Sequence, residues 1–300
     1  MIGRRQSSGL TLVEVLGSLA IGALLFAALA GVALESTRAL EIATGSAELE
    51  QDAQFALDRM VDAVRASRRL LVPKPERPST AYSESQRNVL AVTLDASLDR
   101  DGDGFADADN DRDGRIDEDT GDDATNDAAA GIVGVDDDGD GSIDEGANGD
   151  DDEDGATNED KSDGVDNDAD GLVDEDMDKD ANDDGKPGIA AVDDDGDSSV
   201  DEGNREDDDE DGQKNEDWLD ARVFRLVGTA LVERLPDPNA SSGTAFTERT
   251  IATGVSDFRV TYFPSAGAGL PPTLGIGLTL AGPGGAAAAV DTRVRLGAAP

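Results

Sequence analysis

The 300-residue sequence contains no cysteine and no histidine. Without thiols there are no disulfides and no thiolate metal sites. Without imidazoles there is no Ser-His-Asp or Cys-His catalysis and no His-ligated zinc. Positive charge is also scarce, with 25 Lys and Arg against 68 Asp and Glu and a formal net charge of −43. No basic patch exists to hold a nucleic acid, so that partner class is excluded. The donors left for a metal are oxygens of Asp, Glu, Asn and the backbone, which suit hard cations such as calcium.

The negative charge is concentrated. Between Asp99 and Asp217 there are 51 acidic and 8 basic residues, and outside that stretch 17 of each. A near-neutral chain of one or two domains therefore carries a polyanionic insert.

From Leu10 to Leu34 the chain is apolar apart from Thr11, Ser18 and Glu14, long enough to cross a bilayer as a helix. A secretory signal would have a shorter apolar core followed by its cleavage site, whereas here the small residue, Gly9, precedes the run. Arg4 and Arg5 on the N-terminal side predict a cytoplasmic N-terminus and an external C-terminus. A carboxylate inside such a segment is costly and marks a function unless it reaches the interface.

The segment Gly9-Leu-Thr-Leu-Val-Glu14-Val-Leu16 resembles the type IV prepilin motif, with Leu10 where that family usually has Phe. The resemblance implies that a prepilin peptidase cuts between Gly9 and Leu10 and methylates the new N-terminus. It also implies that Glu14 pairs with the terminal amine of a neighbouring subunit during assembly. Two charges in lipid are tolerable as a pair.

Helical spacing continues through Leu49, Ala53, Ala56, Leu57, Met60, Val61 and Val64, and no proline intervenes before Pro73. One helix from about Leu10 to Val72 is expected, its apolar stripe covering a sheet, with Pro73, Pro75 and Pro78 ending it. Strand patterns follow at 88–95, 221–227, 230–235, 247–263, 274–280 and 290–296, giving four to six strands with a hairpin at Gly228-Thr229. The expected fold class is α+β: a long N-terminal transmembrane helix packed on an antiparallel sheet, interrupted by an acidic insert with little regular structure. The expected domains are a leader (1–9), the helix (10–72, membrane-spanning at 10–34), a discontinuous sheet domain (88–98 and 218–296) and the insert (99–217). Strand tokens such as Leu231-x-Glu-Arg234 and Ile251-Ala-x-Gly-Val-x-x-Phe-x-Val-x-Tyr262 resemble the PilW- and GspJ-like group of larger minor pilins and pseudopilins. In that group, subunits sit at or near the fibre tip and help start assembly.

The insert is an internal duplication. Residues 109–160 align with 166–217 without a gap at an offset of 57. Its unit is Asp-x-Asp-x-Asp-Gly-x-x-Asp-Glu, beginning at Asp109, Asp123, Asp136 and Asp150 and again at Asp166, Asp180, Asp193 and Asp207, with a further unit at Asp99. Alternate side chains of a tightly curved loop converge on one ion, and the Gly at the sixth place permits the turn. The candidate ligands are Asp99, Asp101, Asp103 and Asp107; Asp109, Asp111, Asp113 and Asp117; Asp136, Asp138, Asp140, Asp144 and Glu145; and Asp150, Asp152 and Asp154. The second copy supplies Asp166, Asp168, Asp170, Asp174 and Glu175; Asp180, Asn182 and Asp184; Asp193, Asp195, Asp197 and Asp201; and Asp207, Asp209 and Asp211.

This pattern resembles thrombospondin type 3 and dockerin-like calcium loops. It departs from the EF-hand, because Thr120, Ala147, Met177 and Asn204 stand where the bidentate Glu belongs. Closure falls to the Glu two places earlier, to a neighbouring loop or to water. Two loops are degenerate: Asp123 to Asp127 lacks a ligand and the Gly, and Ser198 replaces Gly in another. Ile116, Ile143, Val173 and Val200 are expected to form a small shared core. Composition alone describes a disordered polyanionic spacer, but such a run would not hold this register. Several Ca²⁺ ions are expected, at affinities around 10⁻⁴–10⁻³ M. Without the ion the carboxylates repel and the insert is expected to be unfolded.

These features together predict a non-enzymatic minor pilin or pseudopilin. Its expected partners are other pilin subunits, prepilin peptidase and the inner membrane, with no small-molecule substrate and no nucleic acid. The N-terminus would be cytoplasmic and the mature domain periplasmic or on a surface fibre. The rival reading is a calcium-dependent adhesin or ligand-binding module anchored by a pilin-like helix.

Overall fold

Leu12–Ala66 form one helix, α1, and the stripe read from the sequence is the face it buries: Ala53, Ala56, Leu57, Met60, Val61 and Val64, joined by Ala63. The computed structural model describes residues 12–73, 86–158, 160–161, 167, 178–180, 183–193, 195, 197–263 and 273–297. After α1 come β1 (Leu70–Val72), β2 (Gln86–Arg87), β3 (Val89–Thr93), β4 (Ala221–Val227), β5 (Ala230–Pro236), β6 (Phe246–Thr253), β7 (Val255–Phe263), β8 (Thr273–Ala281) and β9 (Ala287–Arg295). The architecture is α+β.

The helix ends six residues before the expected Val72. Ser67 Oγ turns back to the Val64 carbonyl at 3.1 Å, and Thr93 Oγ1 accepts the backbone N–H groups of Arg68 and Arg69, each at 3.1 Å. The apolar Leu70-Leu-Val72 run then pairs with β3 as β1. The strands also make two antiparallel sheets where one was expected, in the orders β1-β3-β4-β5-β6 and β2-β7-β8-β9. Gly254, at φ +71°, separates β6 in the first sheet from β7 in the second.

Strict alternation places Leu274, Ile276, Leu278 and Leu280 of β8 inward, beside Phe258, Val260 and Tyr262 of β7. They share one core with the α1 stripe and with Leu90, Val92, Phe224 and Leu231 of the first sheet. Glu233 on β5 is fully buried beside this core. Arg59 Nε of α1 donates to its Oε2 at 2.6 Å, and Arg222 Nη2 of β4 donates to its Oε1 at 2.6 Å. A carboxylate sunk this far is tolerated because both oxygens are paired.

The first sheet is covered on its other face too. Ala91 of β3 and Val223 of β4 point away from α1 into a second core with Leu71, Val72, Leu219 and three residues of the acidic insert, Ala124, Ile132 and Val135. Burial on both faces explains the continuous apolar run at Val89–Val92. β3 and β4 are direct antiparallel neighbours, Thr93 opposite Ala221, and Leu94 N extends the ladder to the Asp220 carbonyl at 2.8 Å. The acidic insert is therefore the connection of a single hairpin, folded back over its own sheet.

Candidate functional sites

Two regions carry the candidate residues. In the first, Glu14 stands in the opening turn of α1, amid exposed apolar side chains that include Leu12, Val13, Leu16 and Leu19. Gly9 and Leu10 lie outside the described residues. Among the described helices only α1 is long and apolar enough to cross a membrane, and its apolar stretch has none of its surface buried within the protein.

The second region is the insert. Its described loops share one backbone scheme. The first Asp accepts the N–H of the sixth residue: Asp109 from Gly114 (3.1 Å), Asp136 from Gly141 (3.2 Å), Asp150 from Gly155 (3.4 Å), Asp180 from Gly185 (3.0 Å) and Asp99 from Gly104 (3.3 Å). The third Asp accepts from the fifth residue, at Asp101, Asp111, Asp138, Asp152, Asp195 and Asp209. The fifth Asp accepts from the seventh, at Asp103, Asp113, Asp140, Asp154, Asp184, Asp197 and Asp211. Each of these N–H groups thereby fixes the orientation of an Asp carboxylate within its loop. The sixth residue is left-handed, as at Gly141 (φ +101°). Both degenerate loops keep the fold at the cost of strain, with Ser198 at φ +85° bonding Asp193 and Ala128 at φ +65° bonding Asp123.

Carboxylate oxygens converge within 4.8 Å of one another in several groups, among them Asp99, Asp101 and Asp107, and Asp136, Asp138 and Asp140. A third joins Asp138 and Glu145 to Glu153, a residue outside the sequence pattern. Burial raises Glu153 to about 7. Two further groups span the ends of the insert: Asp111, Asp113, Glu118 and Asp209; and Asp111, Asp209, Asp211 and Glu216. Other candidates turn to the backbone or to cations. Asp144 Oδ1 accepts Gly134 N at 2.6 Å, Asp201 Oδ1 accepts Ala191 N at 2.7 Å and meets Lys186, and Asp107 is held by Arg100. Asp117 donates its N–H to Asp217 Oδ2 at 2.6 Å. First-place Asp207 is buried near the carboxylates of Asp119 and Asp211. Asp166, Asp168, Asp170, Asp174, Glu175 and Asn182 lie outside the described residues.

The donor set suits a hard divalent cation. Asp109 Oδ1, Asp136 Oδ1, Asp180 Oδ1, Asp207 Oδ1 and both carboxylate oxygens of Glu118, Glu202 and Glu216 are buried without a hydrogen-bond partner. Such oxygens are expensive to desolvate unless a cation or proton satisfies them. Burial pushes Glu118 up to about 10, with the facing Asp217 carboxyl adding to it, and Glu216 up to about 9, with Asp119 adding. Glu118 and Glu216 are the tenth-place residues of their loops. The Asp-Glu and Asn-Glu pairs that end these units were the signal available for them in the sequence.

Val173 of the expected small core lies outside the described residues, and Ile143 and Val200 do not pack into one, being 57% and 49% exposed. The insert buries Ala124, Ile132 and Val135 against the sheet instead, because the degenerate loop at Asp123 is the docked one. Leu219 N donates to the Ala124 carbonyl (2.8 Å), Gly243 N to the Asn126 carbonyl (2.9 Å) and Arg234 Nη1 to the Val133 carbonyl (2.5 Å). Gly243 lies so close to Thr125 that a Cβ there would overlap its carbonyl. The positive charge of Arg234 also favours the ionised form of Asp127, against the burial that raises it.

Residues 4–30 match the prokaryotic N-terminal methylation motif. Comparison with curated proteins and with solved structures gave no match. The prepilin-type motif and the long apolar helix that overlaps it support a membrane-anchored, pilin-like processed subunit.

Proposed function

We propose that this chain is a minor pilin or pseudopilin whose hairpin insert is an array of calcium-stabilised loops. The observation that carries the first half is the methylation motif at residues 4–30, continuous with a helix whose far half packs on antiparallel sheets. Prepilin peptidase cleaves between Gly9 and Leu10, Glu14 pairs with a neighbouring subunit's amine, and the mature domain faces outward from the inner membrane. The second half is supported by the repeated loop scheme and by the buried carboxylate oxygens that lack donors. Calcium supplies the positive charge that these groups need to coexist.

Co-expression with a prepilin peptidase, followed by mass spectrometry of the N-terminus, tests the processing. The expected product begins at methylated Leu10, and Gly9→Val blocks it. An unprocessed or differently cleaved wild-type chain contradicts this reading. Glu14→Ala is expected to leave processing intact and to remove the subunit from assembled fibres.

A further inference from the structure

Hydrogen bonds join the ends of the two copies of the insert. Asn110 N, near the start of the first copy, donates to Asp217 Oδ1 at the end of the second, at 2.9 Å. Asn167 N, its equivalent in the second copy, donates to Asp160 Oδ1 at the end of the first, also at 2.9 Å. At the first seam, 117–120 runs antiparallel to 215–218 through the Asp119–Asp217 bridge, and Asp208 N donates to Asp119 Oδ1 at 3.1 Å. The first and last loops of the duplicated insert thus meet face to face.

We propose that these two loops form a paired calcium centre, in which Asp111 and Asp209 each serve both loops. The inference rests on the calcium reading above and extends it to a site that neither loop makes alone. One ligand set is Asp111, Asp113 and Glu118 with Asp209 from the opposite loop; the other is Asp209, Asp211 and Glu216 with Asp111. The arrangement is reciprocal: each loop gives its third, fifth and tenth residues to its own set and its third residue to its neighbour's.

A second observation stands apart from this clustering. The first-place residues Asp109 and Asp207 are 6% and 1% exposed, and the Oδ1 of each is buried with no hydrogen-bond partner. Asp109 lies against Asp111, and Asp207 beside Asp211, so both orphaned groups adjoin the shared sets. The four carboxylate oxygens of Glu118 and Glu216 are likewise buried and without partners. Arg115 reaches the edge of the seam, 3.3 Å from Asp113 and 4.0 Å from Asp209, but its side chain is 41% exposed. One partly solvated guanidinium does not balance this many desolvated carboxylates. Bridging carboxylates between two divalent ions do, and they explain how the seam holds shut.

The sequence supplies its own reporter. Its single tryptophan, Trp218, is buried beside Asp217 at this seam. Terbium, a trivalent calcium surrogate with the same preference for oxygen, is added to the full-length protein in detergent micelles. Tryptophan is excited at the red edge of its absorption, where tyrosine does not absorb. The expected result is sensitised terbium emission that calcium displaces. Asp111→Asn and Asp209→Asn are each expected to cut it about tenfold or more, since charge count sets affinity in such sites, while Asp257→Asn on β7, outside the insert, leaves it unchanged. Glu216→Gln repeats the test without altering a bridging residue, and the near-ultraviolet signal of Trp218 checks that each variant is folded. Absent emission, or emission indifferent to Asp111→Asn and Asp209→Asn, overturns the paired centre. Calorimetric calcium titration of the same samples separates the two readings. Binding that persists without the seam signal removes only the paired centre, whereas no calcium binding at all removes the array.

Discussion

Asp217 accepts the backbone N–H of Asn110 at 2.9 Å across 107 positions of sequence. It thereby ties the last residue of one sequence copy to the second residue of the other. The same bond recurs between Asp160 and Asn167 with the copies exchanged. The duplication is therefore a pseudo-symmetric object in which each half begins where the other ends.

Pseudo-symmetry supplies a matched pair of substitutions. Ile132 is 3% exposed beneath the first sheet, whereas its equivalent in the second copy, Ile189, is 57% exposed. Ile132→Ala is expected to cost about 2–4 kcal/mol by opening the second core. Ile189→Ala should stay within about 0.5 kcal/mol of wild type. Chemical denaturation of the calcium-loaded protein measures both, and equal effects would contradict docking through the first copy alone.

Glu233 clasps α1 to the first sheet through Arg59 and Arg222. Removing one partner of a buried ion group leaves the others uncompensated, so Glu233→Ala is expected to lose about 3–5 kcal/mol. Glu248, paired with Arg225 on the surface at 2.7 Å, is the control. Glu248→Ala should change stability by less than about 1 kcal/mol.

Asp220 gives the protein a pH dependence of known sign. Burial raises it from 3.8 to about 8, and the carboxylates of Asp117 and Asp217 add to this, against Asn110, which donates to it, and Arg100. The folded state therefore holds a proton that the unfolded state has released. Its contribution is full below about pH 4 and declines as pH rises through 8. Protein kept at saturating calcium is expected to lose stability across that window, and Asp220→Asn should flatten the decline. Melting temperatures at successive pH values read this directly, and an unchanged slope would rule it out.

Ser198 occupies the left-handed position that glycine fills in the intact loops, at φ +85° against +101° for Gly141. A non-glycine residue there costs on the order of 1 kcal/mol or more. Ser198→Gly is expected to recover part of that cost and to strengthen calcium binding at Asp193, Asp195 and Asp197. Weaker binding in the variant would contradict the loop geometry.

Local patterns made much of this fold legible in the sequence. The α1 stripe, the alternation of β8 and the Gly228-Thr229 hairpin each follow from spacing over a few residues. β1 was hidden because Leu70-Leu-Val72 continues the apolar character of the helix, and only Thr93, far along the chain, captures the backbone that ends α1. The division into two sheets was hidden because β6 and β7 read as one run broken by Gly254. In the insert, the loop starts and left-handed glycines were readable, but the partners were not. Asp209 joins Asp111 through closure of the whole duplication, and Glu153 joins Asp138 from outside the repeating unit. Ile132 and Val135 gave no sign that they, rather than Ile143, would find a core, because the sheet they cover lies outside the insert.

Hydrogen exchange, followed by mass spectrometry of the full-length protein in detergent micelles with and without millimolar calcium, tests the central claim most directly. Calcium should slow exchange strongly across residues 99–217, including the amides of Gly114, Gly141 and Gly155 that bond the first Asp of their loops. The α1 segment from Ala53 to Val64 should be protected equally in both conditions. Equal protection of the insert with and without calcium, or slow exchange there already in chelator, would contradict a calcium-organised array on a pilin-like subunit.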